Sequence, residues 1–233
     1  MLALAIDTSG DYAGIALADE NKLITGLNFW HKIDLLKRLL PNIDRVMADA
    51  GRSRSELNGI IVSLGPGSFT GLRIGMSAAK SIAHVLKQPI VGIPTLDILA
   101  YSASAARPKS IAAAIHARPG EVFWAIYRSD SGKIVRLTED RASVVEEMVH
   151  QAKQEKEIVF CGDGAARNRK MIEDEFGIGS VLDEWFNIPR AAVLARLGIL
   201  RLSEGDSDDV FSLVPQYVRK PTPVVRIENH GLH

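Results

Sequence analysis

The stretch Ser63-Leu-Gly-Pro-Gly-Ser-Phe-Thr-Gly-Leu-Arg-Ile-Gly75 decides how the first half of this chain folds. The apolar residues 59–63 before it predict a buried strand, and the pattern over residues 70–86 after it predicts a helix. The stretch therefore joins a strand to a helix through one tight, glycine-rich loop, which is the arrangement of an α/β fold.

The glycines also give this loop a chemical character. Gly65 and Gly67 permit backbone angles that other residues avoid, and Ser68 is suited to cap the helix that follows. Free N–H groups at the positive end of a helix favour a phosphate or another anion. The loop is neither a Walker loop, which ends in Gly-Lys-Ser/Thr, nor the dinucleotide fingerprint, whose glycines are spaced differently.

Composition narrows the class of protein. The chain has 233 residues, 46% of them hydrophobic, which is enough for one large domain or two packed lobes. Its formal net charge is zero, so it lacks the basic field of a protein that grips nucleic acid alone. With Cys161 as its single cysteine, it forms no internal disulfide. No signal peptide or membrane span is recognisable, and we expect a cytoplasmic protein.

The predicted elements occur in the same order twice. In the first half, strands and helices are expected at 2–7, 13–18, 23–29, 34–50 (helix), 59–64, 70–86 (helix), 89–93 and 95–105 (helix). In the second half they are expected at 110–116, 121–128, 133–137, 143–153 (helix), 157–161, 165–175 (helix), 180–182 and 191–204 (helix). This predicts a duplicated β-β-β-α-β-α-β-α fold, which resembles the two-lobed actin/Hsp70/sugar-kinase superfamily. The predicted lobes are residues 1–106 and 107–233.

Two strand ends are candidates for chemistry. Asp7 ends the first strand, where the superfamily holds phosphate and magnesium-bound water, although a carboxylate at a strand end is common in any fold. His116 holds the corresponding place in the second half, followed by Ala-Arg-Pro-Gly, a turn with few free N–H groups. A structural, hydrogen-bonded histidine is the simpler interpretation, and the turn argues against phosphoryl transfer.

Other catalytic patterns are missing from the sequence. The six histidines contain no His-x-x-x-His pair, and no zinc site with three convergent ligands is recognisable. Cys161 ends a predicted strand, where a buried, inert thiol is the simpler interpretation. The sequence contains no Gly-x-Ser-x-Gly elbow of a serine hydrolase. We therefore predict no catalytic residue and no metal ligand.

Two helices of the first lobe are candidates for a subunit interface. The apolar face of the first helix is wider than an ordinary core stripe, and the second carries small residues that permit close helix packing. The residues of this predicted interface are Leu35, Leu36, Leu39, Leu40, Ile43, Met47, Gly71, Ile74, Gly75, Ala78 and Ile82. One ordinary core face per helix would account for the same pattern, so both interpretations stay open here.

Several segments together resemble the bacterial TsaB (YeaZ) family of tRNA threonylcarbamoyladenosine biosynthesis proteins. They are Gly65–Gly75 with Ala79-Lys80, Ile6-Asp-Thr-Ser9, Leu39-Leu-Pro41, Gly92-Ile-Pro-Thr-Leu96, Gly120-Glu-Val-Phe-Trp-Ala-Ile-Tyr127 and Pro215-Gln-Tyr-Val-Arg219. The similarity runs from the first strand to the tail, and the glycine-loop motif is specific. The first helix departs from many relatives, because Leu35-Leu-Lys37 stands where they have a histidine followed by two polar residues.

The resemblance implies a non-catalytic partner of a related subunit, TsaD. TsaD transfers a threonylcarbamoyl group from an adenylate to the adenosine next to the anticodon of tRNAs that read codons starting with A. A small ATPase, TsaE, joins the same complex. The resemblance further implies that the N-terminal lobe pairs with TsaD, or with a second copy when TsaD is absent, and that tRNA is met only through the complex. Thr95 and Leu99 stand where TsaD-like proteins carry two metal-binding histidines.

The resemblance implies no tightly bound cofactor, although ATP or ADP at a subunit junction remains an expectation. The residues of such a remnant nucleotide site would be Asp7, Thr8, Ser9, Gly65, Gly67 and Ser68. The alternative is an ATPase or phosphotransferase of the same superfamily, which needs a second phosphate loop and a second acid near His116. A metal-dependent peptidase would need ligands that the sequence does not offer.

Overall fold

The computed structural model describes residues 1–31, 34–130 and 133–218. The elements of the first half are β1 (Leu2–Asp7), β2 (Tyr12–Asp19), β3 (Leu23–Trp30), α1 (Leu35–Asp49), β4 (Gly59–Gly65), α2 (Phe69–Leu86), β5 (Ile90–Pro94) and α3 (Thr95–Ala103). Those of the second half are β6 (Ser110–Arg118), β7 (Glu121–Asp130), β8 (Lys133–Arg136), β9 (Arg141–Val144), α4 (Val145–Ala152), β10 (Ile158–Cys161), α5 (Asp163–Arg167), α6 (Arg169–Phe176) and α7 (Ala191–Ser203).

The strand order confirms the predicted duplication. The first sheet has the order β3-β2-β1-β4-β5, in which the first three strands are antiparallel and β4 and β5 run parallel to β1. The second sheet has the order β8-β7-β6-β10, with β10 parallel to β6 and β9 paired to the other part of β7. A single bridge between Phe160 and Val181 stands in the place of a fifth strand. The predicted strand at 180–182 is therefore reduced to one bridge.

Alternation along β1 divides the core of the first sheet in two. Leu4 and Ile6 belong to a buried cluster with the apolar faces of α1 and α2. Ala3 and Ala5 point to the other face, because successive strand side chains alternate. That face is covered by α7, which comes from the far end of the described chain. The prediction that residues 107–233 form the second lobe is therefore corrected for α7, which packs on the first sheet.

Small residues permit this close approach of α7. A Cβ atom at Gly198 would collide with the Ile61 side chain, and one at Gly14 would lie 2.9 Å from the Cβ of Ala191. Such short separations leave no space for a larger residue in a close-packed interior. The position of α7 thus depends on glycine at both places.

Two further differences concern the second half. The predicted helix at 143–153 begins only at Val145, because residues 141–144 pair with β7 as strand β9. The predicted helix at 165–175 is divided into α5 and α6 at Asn168, whose side-chain amide donates to the Gly164 carbonyl (2.8 Å). An asparagine side chain that bonds the backbone in this way competes with the regular helical pattern.

The segment 208–218 returns to the first lobe and lies along α2. Lys80 Nζ donates to the carbonyls of Phe211 (3.1 Å) and Leu213 (2.9 Å). The Gln216 N–H donates to the Leu64 carbonyl (2.8 Å), and the Arg73 side chain donates to the Tyr217 hydroxyl (3.1 Å). These bonds hold the segment against the glycine loop. The loose end expected over residues 220–233 lies outside the described residues.

Candidate functional site

A cleft of about 470 Å³ lies between the two lobes. One wall comes from the β1–β2 turn and the glycine loop, through Ser9, Gly67 and Ser68. The opposite wall comes from the second lobe, including His116 and Asp163. The structure therefore brings together the two strand ends that sequence analysis selected, because corresponding strands of the two lobes face each other across the cleft.

The N–H groups expected to hold a phosphate are already occupied. The Ser68 N–H donates to the Ser9 carbonyl (2.7 Å), and the Gly71 N–H donates to Ser68 Oγ (3.2 Å). The Ser9 N–H donates to Asp7 Oδ1 (3.0 Å), and the Thr8 N–H donates to Ser63 Oγ (3.4 Å). A phosphate would have to displace these internal bonds, so the loop does not present the open cradle that the sequence suggests.

The glycines of the loop instead fit it against the β1–β2 turn. A Cβ atom at Gly67 would collide with the Ser9 carbonyl oxygen, and one at Gly71 with the Thr8 carbonyl oxygen. A Cβ at Gly75 would collide with Thr8 Oγ1, which donates to the Gly71 carbonyl (2.8 Å). These glycines hold the two segments in direct contact. Gly71 and Gly75, predicted for the subunit interface, are therefore buried inside the chain itself.

Of the six residues predicted for a nucleotide site, Ser9, Gly67 and Ser68 line the cleft. Asp7 and Thr8 are buried beneath it, and Gly65 packs against Leu72 and the Gln216 carbonyl. Burial raises the pKa of the Asp7 carboxyl above its usual range. Asp7 thus lies below the floor of the cleft, where burial disfavours the negative charge that metal or water binding would require.

We expect Asp7→Asn to raise the melting temperature at neutral pH. The raised pKa in the folded state means that the folded chain binds more protons than the unfolded chain above pH ~4, so stability falls as pH rises through this window. Asparagine removes that dependence and keeps an oxygen for the Ser9 N–H. Thermal unfolding of both proteins from pH 4 to pH 8 should show the gain shrinking towards the acidic end. A wild-type protein more stable than the variant at pH 7 would contradict this assignment.

A second glycine turn forms the other wall of the cleft. The turn Gly162-Asp-Gly164 follows β10 as the first glycine loop follows β4, and Asp163 Oδ1 accepts the His116 N–H (3.0 Å). A Cβ at Gly162 would collide with the Ala114 carbonyl oxygen. Arg167 lies 3.8 Å from Asp163 and also lines the cleft. This wall is again a packed turn held by internal contacts.

Sequence analysis did not assign Asp163, Arg167 or Asn187 to the cleft. The internal repeat carried the signal for Asp163, because its glycine turn occupies the place of the first glycine loop in the second half. Asn187 had no comparable signal, since it lies in an irregular segment before α7. Its Oδ1 accepts the Gly162 N–H (2.9 Å), which places the amide at the cleft.

Helix α3 separates this cleft from a second cavity of about 600 Å³. Thr95 and Leu99 line the cleft, whereas Asp97 and Tyr101 line the second cavity, as expected for residues on opposite sides of a helix. In the second cavity the buried Tyr127 hydroxyl donates to Asp97 Oδ1 (2.8 Å). Thr95 and Leu99 thus face the cleft, but neither side chain is a metal ligand of the usual kind.

The structure divides the predicted interface residues into two groups. Leu35, Leu39, Ile43 and Met47 are buried in the core between α1 and the first sheet, so a partner cannot contact them in this conformation. Leu36 is 73% exposed and Leu40 is 52% exposed on the opposite side of α1. On α2 the partly buried residues are Ile74, Ala78 and Ile82. A docking surface on these helices is therefore restricted to this second group of five residues, which we call the α1–α2 surface.

Two general findings apply to the described residues. No group of three or more His, Cys, Asp and Glu side chains among them is arranged to hold a metal ion. No helix in the part of the chain that the structure describes combines the length and the apolar character needed to cross a membrane. Burial raises the pKa of the Cys161 thiol to about 12, so this cysteine is protonated and unreactive at neutral pH.

Comparison with known proteins gives consistent matches. Residues 33–221 match the family model of TsaD, tRNA N6-adenosine threonylcarbamoyltransferase. The tRNA threonylcarbamoyladenosine biosynthesis protein TsaB of Bacillus subtilis (strain 168) is 31% identical over 221 residues, covering 94% of each chain. The protein of the same name from Escherichia coli (strain K12) is 33% identical over 156 residues, covering 66% of this chain and 67% of its own.

Solved structures extend the likeness to the fold. YeaZ from Pseudomonas aeruginosa is 25% identical with a TM-score of 0.76, covering 93% of this chain and all of its own. A second structure from Pseudomonas aeruginosa, described as similar to peptidase YeaZ, is 26% identical with a TM-score of 0.82, covering 94% of this chain and 99% of its own. The predicted two-lobed α/β fold class is confirmed by these neighbours together with the strand order.

Proposed function

Because this chain belongs to the TsaB (YeaZ) family, we propose that it acts in tRNA threonylcarbamoyladenosine biosynthesis as a non-catalytic scaffold that pairs with TsaD. The catalytic subunit then transfers the threonylcarbamoyl group to the adenosine next to the anticodon. This chain orders TsaD and helps to recruit TsaE, and it meets tRNA only within the complex. The cytoplasm is the compartment in which it would meet these partners.

The observation that carries this proposal is the exposed apolar side of α1. Leu36 and Leu40 lie one turn apart and expose 73% and 52% of their surface, although the same helix already supplies a complete core face. A helix that is apolar on two sides is typical of a contact with another subunit. Helix α2 packs on the same side of the first sheet, so its partly buried residues extend this surface. The same surface would pair two copies when TsaD is absent.

The geometry of the cleft supports a non-catalytic role. The N–H groups of the glycine loop bond within the chain, and Asp7 is buried where its negative charge is disfavoured. Thr95 and Leu99 provide no imidazole at the places that correspond to the metal ligands of TsaD-like proteins. These features leave the chemistry to the partner, whereas an ATPase or phosphotransferase would need an open phosphate cradle.

Reconstitution tests the proposal directly. This protein is mixed with TsaD, TsaE, tRNA and a source of threonylcarbamoyl-adenylate, and the modified adenosine is measured by mass spectrometry. We expect product formation to depend on this chain, with no ATP turnover by the chain alone. Product that forms equally well without the chain would overturn the scaffold role. ATP hydrolysis by the isolated chain that Asp7→Ala abolishes would instead establish the enzymatic alternative.

A further inference from the structure

Three buried polar atoms at the floor of the cleft lack hydrogen-bond partners among the described residues. They are Ser9 Oγ, Thr95 Oγ1 and Asn187 Nδ2, and all three residues line the cleft. Ser9 is 3% exposed and Thr95 is fully buried, so bulk water does not take the place of a partner. Buried polar groups without partners are costly and rare in native proteins. Three of them around one cleft indicate that something polar occupies it.

The three groups come from separate parts of the chain and converge only in the folded protein. Ser9 lies in the β1–β2 turn, Thr95 begins α3, and Asn187 precedes α7. Because Asn187 Oδ1 accepts the Gly162 N–H (2.9 Å), the orientation of its amide is fixed and Nδ2 is left as a donor. The site therefore offers two hydroxyls, each able to donate or accept, and one fixed donor.

The charges of the cleft argue against a phosphorylated occupant. Its lining contains the carboxylates of Asp11, Asp163 and Glu184 but only one arginine, Arg167, which already lies 3.8 Å from Asp163. The backbone donors that could compensate for a phosphate are bonded within the chain, as described above. A polyphosphate would meet net negative charge here, and an uncharged molecule would not.

We infer that the cleft binds an uncharged ring compound bearing neighbouring hydroxyl or amide groups, of nucleoside or sugar size. Its hydroxyls pair with Ser9 Oγ and Thr95 Oγ1, and an acceptor on the ring receives Asn187 Nδ2–H. Apolar side chains of Leu99, Ile115 and Ile188 line the same space and fit the faces of the ring. The volume of about 470 Å³ suits such a molecule. This inference is independent of the proposed scaffold role.

Binding of small molecules to the full-length protein tests the inference. Adenosine and glucose are titrated separately by isothermal calorimetry, with saturation-transfer NMR for weak binding, and Mg-ATP serves as the charged comparison. We expect saturable binding of adenosine or of glucose, which tells nucleoside from sugar, and weaker binding of Mg-ATP. If neither adenosine nor glucose binds at 10 mM (about the weakest affinity these methods detect, ~3 kcal/mol), or if Mg-ATP binds more tightly, the inference is overturned.

Substitutions locate the binding. Ser9→Ala and Thr95→Val each remove one unpartnered hydroxyl and are expected to weaken binding about fivefold or more. Both variants should remain folded, because the free protein loses no hydrogen bond of Ser9 Oγ or Thr95 Oγ1. Ser180→Ala is the matched control, since Ser180 Oγ is also buried and unpartnered but does not line the cleft. Binding that is equal in all three variants would place the ligand elsewhere and overturn the assignment.

Discussion

The double variant Leu36→Glu/Leu40→Glu is expected to bind TsaD at least about 100-fold more weakly than the wild type. Each leucine that is buried at an interface contributes about 1.5–3 kcal/mol, and each glutamate brings a charge that must be desolvated. Both side chains are exposed in the isolated chain, at 73% and 52%, so the substitutions should leave its fold intact. Surface plasmon resonance measures the binding, and circular dichroism confirms the fold.

Two controls make this experiment selective. Ile178→Glu places the same charge on a residue that is 98% exposed in the second lobe, and it should bind TsaD as the wild type does. Leu39→Glu lies on the same helix, but Leu39 is 1% exposed in the core, so this variant should unfold. A Leu36/Leu40 variant that is folded and binds with unchanged affinity would show that the partner docks elsewhere.

The glycine loop should give the largest effects on stability. Gly71→Ala and Gly75→Ala are each expected to cost about 3 kcal/mol or more, because a Cβ atom at either position collides with Thr8. Gly10→Ala is the matched control, since a Cβ there meets no atom within 4 Å, and it should be close to neutral. Denaturant unfolding measures all three variants. A Gly71→Ala protein as stable as the wild type would contradict this account of the loop.

A double-mutant comparison separates the two collisions. The Cβ at Gly75 meets the hydroxyl of Thr8, whereas the Cβ at Gly71 meets the Thr8 backbone carbonyl. Thr8→Ala should therefore recover part of the stability lost in Gly75→Ala and none of that lost in Gly71→Ala. Equal recovery in both pairs would mean that the collisions are relieved by a shift of the whole turn.

Much of the fold was accessible from local patterns. The alternation of apolar residues predicted β1 with its observed bounds, Leu2–Asp7, and helical spacing predicted α2 to within one residue, Phe69–Leu86. These patterns succeed because strand and helix periods are set within a few neighbouring residues. Strand β9 was missed for the opposite reason, since residues 141–144 become a strand only by pairing with β7.

The interface prediction shows the limit of helical patterns most clearly. Spacing placed Leu36 and Leu40 together with Leu35 and Leu39 on one wide apolar face, but the structure buries the second pair and exposes the first. Which side of a helix meets the core depends on where the sheet lies, and the sheet is assembled from distant strands. The sequence indicated two-sided apolar character, and tertiary packing assigned the sides.

The sequence by itself determined the duplicated two-lobed fold, the family and the position of the glycine loop, because these depend on short-range periods and on a specific local motif. Only the tertiary structure decided that the N–H groups of the loop are used internally and that α7 covers the first sheet. It also decided that Ser9, Thr95 and Asn187 meet at one cleft. Hydrogen-bond pairing and convergence are properties of residues far apart in the chain, and no local pattern contains them.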